Sequence, residues 1–137
     1  MDFHECLESG TAKEVPINIL RAKSLIKSSK QAIKTAEIIR LNEDSAKSVF
    51  RELYEGLREF IEAIGFSKGY KFLDHISITY FLKEILKEPL ISRKFDRYRK
   101  LRNGINYYGN EIEIITVEDA LGEIPKILKY LNKHINT

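Results

Sequence analysis

The sequence has little cysteine, few histidines and no long apolar run. Its only cysteine, Cys6, has no partner for a disulfide within the chain, and one thiol does not make a cysteine-based zinc site. No apolar stretch approaches the roughly 20 residues that a membrane-spanning helix needs, so we expect no membrane insertion. These absences exclude disulfide-stapled and cysteine-zinc domains, and the single cysteine favours a cytoplasmic location, where thiols stay reduced.

Signatures of common metal and cofactor sites are also missing. The chain has no glycine-rich phosphate loop, no His-Glu-x-x-His helix and no acidic metal-binding pattern, so we expect neither a metal nor a cofactor. The three histidines are scattered along the sequence. His75, beside Asp74, is more typical of a satisfied core histidine than of a catalytic one. Cys6 has no identifiable base near it, which argues against a nucleophilic role.

The composition is that of one folded domain. Hydrophobic residues make up 43% and charged residues 31% of the 137 positions, which gives enough apolar surface for a core and enough charge to stay in solution. A chain of this length supports one hydrophobic core but hardly two, so we predict a single domain over residues 1–137. The net charge of +3 permits an anionic partner without requiring one.

Apolar residues spaced three and four apart predict helices in the first half of the chain. The predicted elements are a short helix up to Gly10, a long helix from Pro16 to about Arg40, and a third helix that Asn42 caps and Gly65 ends. Alanine and serine on the apolar stripe of the long helix indicate close packing against a neighbouring helix.

The second half also predicts helices, one of them buried at the centre of the fold because its apolar residues surround it. The predicted elements are this central helix from Tyr70 to about Lys87, a helix from about Ile91 to Tyr108, a short extended stretch at residues 111–114, and a last helix that Thr116 caps and Pro125 kinks or splits. Short connections favour antiparallel neighbours, so we predict an all-α, up-and-down helical bundle of four to five main helices.

The densest charge of the sequence lies between Arg93 and Arg102, where six cations accompany one anion in ten residues. A rotation of about 100° per residue places Arg93, Arg97 and Lys100 opposite the apolar face of the predicted helix. Charged faces of this kind are usually solvated helix surfaces, and this is the simpler interpretation of these three residues.

Arg102 differs from these surface cations. It follows Tyr98 by four residues and precedes Ile105 by three, which places it on the apolar stripe. Two interpretations stay open: the guanidinium pairs with a carboxylate or extends past the bundle edge, or it holds a phosphate in a cleft, for which its planar fork is suited. Asn103 and Asn106 add neutral hydrogen-bonding groups beside it.

The end of this helix reads Arg99-Lys100-Leu101-Arg102-Asn103-Gly104-Ile105-Asn106-Tyr107-Tyr108-Gly109. It resembles the signature region of the HEPN (higher eukaryotes and prokaryotes nucleotide-binding) domain family, and the helix order of nearly the whole chain is similar too. In that family a signature Arg, often followed by a polar residue such as Asn, precedes a His by four to six residues. Arg102 and Asn103 match the start of this pattern, and Tyr107 stands where the His is expected.

The resemblance implies a homodimer that binds RNA or a nucleotide at its interface. In the family, Arg and His of two protomers meet in a cleft between them, and members with the complete motif are typically metal-independent ribonuclease toxins. By this resemblance, Arg102, Asn103 and Tyr107 are the candidate catalytic residues of this chain. The candidate nucleic-acid-binding residues around them are Arg97, Arg99, Lys100, Asn106 and Tyr108.

Tyr107 in place of the signature His predicts weak or absent catalysis, because a phenol with a pKa near 10 is a poorer base at neutral pH than an imidazole near 6.5. In an ideal helix Tyr107 lies about 140° from Arg102, so we expect the two to meet only across a dimer or where the helix unwinds. Two alternatives stay open. The protein is an active metal-independent endoribonuclease in which Tyr107 partly replaces the His, or it is the interaction partner of a small nucleotidyltransferase, as in toxin and antitoxin pairs.

Overall fold

Six α-helices and one two-stranded sheet make up the computed structural model, which describes residues 1–135. The helices are α1 (Phe3–Ser9), α2 (Ile19–Ile38), α3 (Ala46–Lys68), α4 (Ile76–Tyr80), α5 (Pro89–Tyr108) and α6 (Ile114–Leu131); a π-helical turn (Phe81–Ile85) continues α4, a 3-10 turn (Asn132–His134) follows α6, and the strands are β1 (Ala12–Glu14) and β2 (Tyr70–Phe72). The predicted all-α class is confirmed, with two short helices beyond the main ones. Among residues 1–135, no helix is long and apolar enough to cross a membrane.

The central element is α3, which packs against α2, α5, α6 and β2. Its sequence repeats apolar side chains every three or four residues, and the face they form is buried. The buried apolar side chains of α3 are Ala46, Val49, Phe50, Leu53, Tyr54, Leu57, Phe60, Ile61, Ala63 and Ile64. The prediction that the central helix spans residues 70–87 is therefore wrong.

Small residues let α2 and α3 approach closely, as their sequences predict. A Cβ atom on Gly56 would lie 2.7 Å from Ile33 Cδ1, and the Ser29 hydroxyl donates a hydrogen bond of 2.6 Å to the Gly56 carbonyl. This bond satisfies a polar side chain that is fully buried in the helix interface. The contact fixes α3, and with it the side chains that α3 contributes to the functional site.

The end of α3 differs from the prediction. The helix continues past Gly65 and stops at Gly69, whose φ of +90° is a left-handed conformation that glycine adopts without strain. Gly65 instead makes room for β2, because a Cβ atom there would lie 2.7 Å from Phe72 Cε2. A helical glycine required by packing resembles a stop signal in the sequence, and this caused the error.

The sheet was not predicted at all. β1 pairs with β2 in antiparallel register, with Ala12 opposite Phe72. α2 consequently starts after this strand and not at Pro16: the Asn18 side chain accepts a hydrogen bond of 2.9 Å from the Arg21 backbone N–H and caps the helix. Three-residue strands leave too short a pattern to recognise, and only their pairing across the chain stabilises them.

α5 has nearly the predicted ends, because both are set by local signals. It begins at Pro89, whose missing N–H costs nothing in a first helical turn, and it ends before Gly109, which has a φ of +65°. The backbone N–H of Asn110 donates a hydrogen bond of 3.0 Å to the Gly104 carbonyl and closes the last turn. α5 therefore remains helical through the whole segment that carries Arg102.

The predicted start of α6 is wrong, and one of the two predicted effects of Pro125 is excluded. Residues 109–113 lie within the described chain and form no strand, and α6 already begins at Ile114, so Thr116 is not its cap. Pro125 lies inside one uninterrupted helix and does not split it. Buried residues on both sides of Pro125 pack in the core that α6 shares with α3, which compensates for the missing backbone hydrogen bond.

Candidate functional site

Five side chains from three parts of the fold meet at the C-terminal half of α5, and we call them the Arg102 cluster. They are Arg102, Asn103 and Tyr107 of α5, Tyr54 of α3, and His75, which directly precedes α4. Tyr98 and Ile105, about one turn to either side of Arg102, are buried in the core, and their burial orients this part of α5. Arg102 is thereby held at the edge of the core with intermediate exposure.

The Arg102 guanidinium contacts neutral groups. Its Nη1 atom lies 3.3 Å from Asn103 Oδ1 and 3.4 Å from Tyr107 Oη, which are long hydrogen bonds. Its Cζ atom lies 5.8 Å from the centroid of the Tyr54 ring and 5.6 Å from that of Tyr107. Aromatic faces attract a cation but do not neutralise it, so the guanidinium keeps its full charge and spare donors.

No carboxylate in the described part of the chain forms an ion pair with Arg102, which distinguishes it from the other partly buried arginines. Arg58 pairs with Glu55 and Glu62, and Arg99 pairs with Asp96 at 2.8 Å. Partly buried cations are usually paired in this way, because an unpaired charge loses hydration without compensation. The absence of such a partner favours an external anion, and the guanidinium fork suits phosphate.

A hydrogen bond between Tyr54 and His75 forms the inner wall of the cluster. The Tyr54 hydroxyl lies 2.7 Å from His75 Nδ1. Tyr54 is 1% exposed, and its ring stacks on Phe95 with a centroid distance of 5.6 Å. Burial raises the pKa of the Tyr54 hydroxyl, so the phenol stays protonated at neutral pH and acts as a fixed hydrogen-bonding group.

His75 is neutral at physiological pH. Burial lowers its pKa to about 4, and the positive charges of Arg58 and Arg102 contribute in the same direction. No described residue is hydrogen-bonded to its Nε2 atom, and this atom is not fully buried, so Nε2 is at least partly accessible to solvent. The imidazole therefore presents one fixed and one free nitrogen beside Arg102. This differs from the fully satisfied core histidine that the sequence favoured.

Arg102 and Tyr107 meet within one chain, contrary to the expectation that they meet only across a dimer or in an unwound helix. α5 is helical at both positions. The long Arg102 side chain extends toward the helix end and reaches the Tyr107 hydroxyl at 3.4 Å. The angle around an ideal helix axis gives the direction in which each side chain leaves the backbone. It does not take account of the length of the flexible arginine side chain, which lets the guanidinium reach Tyr107.

The other predicted nucleic-acid-binding residues lie outside the cluster. Arg99 and Lys100 both bind Asp96, at 2.8 and 3.2 Å. Arg97 lines one cleft between α5 and α6 and another between α5 and residues 110–112, and its Cζ atom lies 5.7 Å from the Tyr98 ring centroid.

At the end of α5, Asn106 Oδ1 accepts a hydrogen bond of 2.8 Å from Arg51 Nε, and Tyr108 is 79% exposed. Neither contacts the Arg102 guanidinium. Of the residues proposed from the sequence, Arg102, Asn103 and Tyr107 come together. Tyr54 and His75 complete the cluster, and the sequence did not place either of them near α5.

A cleft of about 870 Å³ also lies between α5 and α6, and three of the polar side chains that line it are already paired with one another. The Tyr98 hydroxyl donates a hydrogen bond to Glu123, and Lys94 Nζ lies 2.9 Å from the same carboxylate. A ligand there would have to displace these contacts, whereas the Arg102 cluster has an unpaired charge and a free imidazole nitrogen.

Comparisons with known proteins assign no family to this site. No family model, no curated protein and no solved structure matches the chain. Within the described residues, no group of three or more histidine, cysteine and acidic side chains is arranged to hold a metal ion.

Proposed function

We propose that this protein is a HEPN-like module that binds the phosphate of RNA or of a nucleotide at the Arg102 cluster. The observation that carries the proposal is the partly buried Arg102 guanidinium without a carboxylate partner in residues 1–135. A phosphate oxygen pair matches its two forked donors and neutralises its charge. The Tyr107 hydroxyl and the Asn103 amide add neutral hydrogen-bonding groups for the same ligand.

Exposed aromatic rings beside the cation support a nucleotide over a simple anion. Tyr107 and Tyr108 are 68% and 79% exposed at the end of α5. Bases that are not paired commonly stack on tyrosine rings next to arginine, with a contribution of about 1–3 kcal/mol per base. A single-stranded RNA or a mononucleotide brings phosphate and base together, and the cluster has partners for both.

The experiment measures binding of a labelled single-stranded RNA and of a nucleotide by fluorescence anisotropy at several salt concentrations. Arg102→Ala is expected to weaken binding about 10- to 100-fold, as removal of charged hydrogen bonds does, and to reduce the salt dependence. Arg21→Ala is the matched control, because Arg21 is also a guanidinium over an aromatic ring, 5.7 Å from the Phe66 centroid, but lies on α2. Equal affinity of the Arg102→Ala variant and the parent protein refutes the proposal.

A second candidate function, a metal-independent endoribonuclease, is favoured by the free nitrogen of His75 in the same cluster. In this reaction the ribose 2′-hydroxyl gives its proton to the imidazole and attacks the adjacent phosphorus. The 5′-oxygen leaves and takes a proton from solvent, and a 2′,3′-cyclic phosphate remains. Arg102 and Tyr107 would stabilise the charge on the phosphoryl oxygens. A base with a pKa of about 4 is far below the optimum at neutral pH, so cleavage would be slow.

Cleavage of labelled RNA in the presence of a chelator distinguishes this function from binding alone. A cyclic phosphate product that disappears in both Arg102→Ala and His75→Gln supports the ribonuclease. Undiminished cleavage by Arg102→Ala excludes it. The resemblance to the HEPN family also implies a homodimer and a small nucleotidyltransferase as partner, and co-purification of such an enzyme with this protein is the corresponding test.

A further inference from the structure

We propose that His75 is a further phosphate-binding residue of the Arg102 cluster, and that it takes up a proton from solvent when a phosphate group binds beside Arg102. The inference rests on the proposed function and deepens it. Phosphate binding by Arg102 alone would depend little on pH, because a guanidinium stays charged at all accessible pH values. Participation of His75 makes the affinity for the phosphate increase as the pH falls.

His75 and Arg102 both lie next to the Tyr54 ring, with the His75 ring centroid at 5.6 Å and Arg102 Cζ at 5.8 Å from its centroid. Both groups are therefore held against one buried ring. Arg102 already acts electrostatically on His75 in the free protein. An anion that binds next to Arg102 changes the local charge that His75 experiences.

The 2.7 Å contact between Tyr54 Oη and His75 Nδ1 fixes the imidazole, and Nε2 is not fully buried and has no partner in residues 1–135. After uptake of one proton, the imidazolium carries N–H groups at both nitrogens. Nδ1–H then donates to Tyr54 Oη, and Nε2–H is free to donate to a phosphate oxygen. The phenol oxygen can accept as well as donate, so the contact between Tyr54 and His75 is kept in the change.

The charged groups that act on His75 are Arg58 and Glu55 of α3, Arg102 of α5, and Asp74 of its own turn. Arg58 is paired with Glu55 and Glu62, and Asp74 Oδ1 accepts a hydrogen bond of 2.8 Å from the Ser77 backbone N–H. Of the two arginines, only Arg102 has no carboxylate partner within residues 1–135. A phosphate that neutralises Arg102 removes a repulsion and adds an attraction for an imidazolium.

The test uses a short RNA with 2′-O-methyl riboses and hydroxyl ends, because it resists cleavage and its phosphodiesters do not titrate between pH 5 and 8. Its dissociation constant is measured at each pH unit in this range, at constant ionic strength. Protonation that accompanies binding raises affinity by up to about tenfold per pH unit as the pH falls. The expected result is such a rise for the parent protein and a nearly flat profile for His75→Gln, so that the ratio of their two dissociation constants grows as the pH falls.

Three variants control the interpretation. His75→Asn keeps an amide near the position of Nδ1 and so preserves the contact to Tyr54, but it cannot be protonated; it is expected to fold like the parent and to show a flat profile. His4→Gln and His134→Gln remove histidines that pair elsewhere, with Glu8 and Glu88, and should retain the full pH dependence.

Calorimetry at pH 6 in buffers of different ionisation enthalpy counts the protons directly. The parent should take up a measurable fraction of one proton per RNA bound, and His75→Asn none. A flat profile for the parent, or the same slope in His75→Asn, overturns this inference but leaves the proposed function intact. Absence of RNA and nucleotide binding by the parent at every pH overturns both.

Discussion

Three partly buried arginines show how the surroundings of a residue decide its role. Arg58 and Arg99 lie within one turn of their carboxylates on the same helix, so local sequence neutralises them. Arg102 has no acid at the corresponding positions: Arg99 precedes it by three residues, and Asn106 follows it by four. Its cation contacts aromatic rings and an amide instead. The protein thus keeps one cation near its core available for an anion.

The depressed pKa of His75 predicts a pH dependence of stability. The unfolded chain takes up a proton on this side chain below about pH 6.5, whereas the folded protein resists it until about pH 4. Above pH 6.5, the stability of the folded protein is therefore not reduced through His75. As the pH falls from 6.5 toward 4, the free energy of unfolding decreases by no more than about 1.4 kcal/mol per pH unit.

Urea unfolding of the parent and of His75→Asn at pH 5, 6, 7 and 8 checks this prediction. The parent should lose stability relative to the variant between pH 7 and 5. Asp96, Glu88 and Glu123 have pKa values below their usual range, so their contributions change at lower pH and cancel in the comparison. A constant difference between the two proteins over the whole range would show that folding does not lower the pKa of His75.

The residues of the site were only partly predictable from sequence. Arg102, Asn103 and Tyr107 lie within six positions of one helix, and a motif can show such neighbours. Tyr54 looks like one more apolar residue on the buried face of α3, and His75 lies in a turn that the sequence assigned to a helix. Their place beside Arg102 follows from how α3, α4 and α5 pack, which no local pattern contains.

At the scale of elements, features that local sequence signals determine were predictable, and features that long-range contacts determine were not. The ends of α5 were predictable because Pro89 and Gly109 act through their own backbone preferences. The strands and the true end of α3 were not, because Gly65 and Phe72 have their positions only through a contact between elements. The same glycine residue type thus marks a helix end in one place and a packing contact in another.

The contact of α2 with α3 gives a prediction at this scale. In Gly56→Ala, the new Cβ atom would lie 2.7 Å from Ile33 Cδ1 and 3.1 Å from the Ser29 carbonyl oxygen, so the helices must move apart. We expect the free energy of unfolding to fall by about 1–3 kcal/mol, as in other overpacked cores. Chemical denaturation measures the change. Ile33→Val in the same chain removes the Cδ1 atom and should restore part of the loss.

Gly122→Ala on α6 is the matched control for this substitution. A Cβ atom on Gly122 meets no other atom within 4 Å, so only the helix preference of alanine remains. This variant should be more stable than the parent by up to about 1 kcal/mol. If Gly56→Ala is also stabilising, then α2 and α3 are not in close contact at this point in solution.

At the scale of the whole molecule, the cluster lies next to exposed aromatic residues and not in a closed pocket. Tyr107 and Tyr108 are mostly exposed in one chain, although tyrosine rings are often covered at interfaces. The family resemblance predicts that a second copy covers this end of α5. Two Arg102 clusters would then face one cleft, and a single RNA strand could contact both.

This predicts a particle of twice the 16.0 kDa chain mass in sedimentation at micromolar concentration. A positive charge placed in an apolar interface would be desolvated without a partner, so Tyr108→Lys should dissociate the dimer and weaken RNA binding together with it. Leu20→Lys, at an 82% exposed position on α2, is the matched control and should leave the mass unchanged. A monomeric parent would remove the cleft from the proposed function, and dissociation by Leu20→Lys alone would place the interface on α2, away from Arg102.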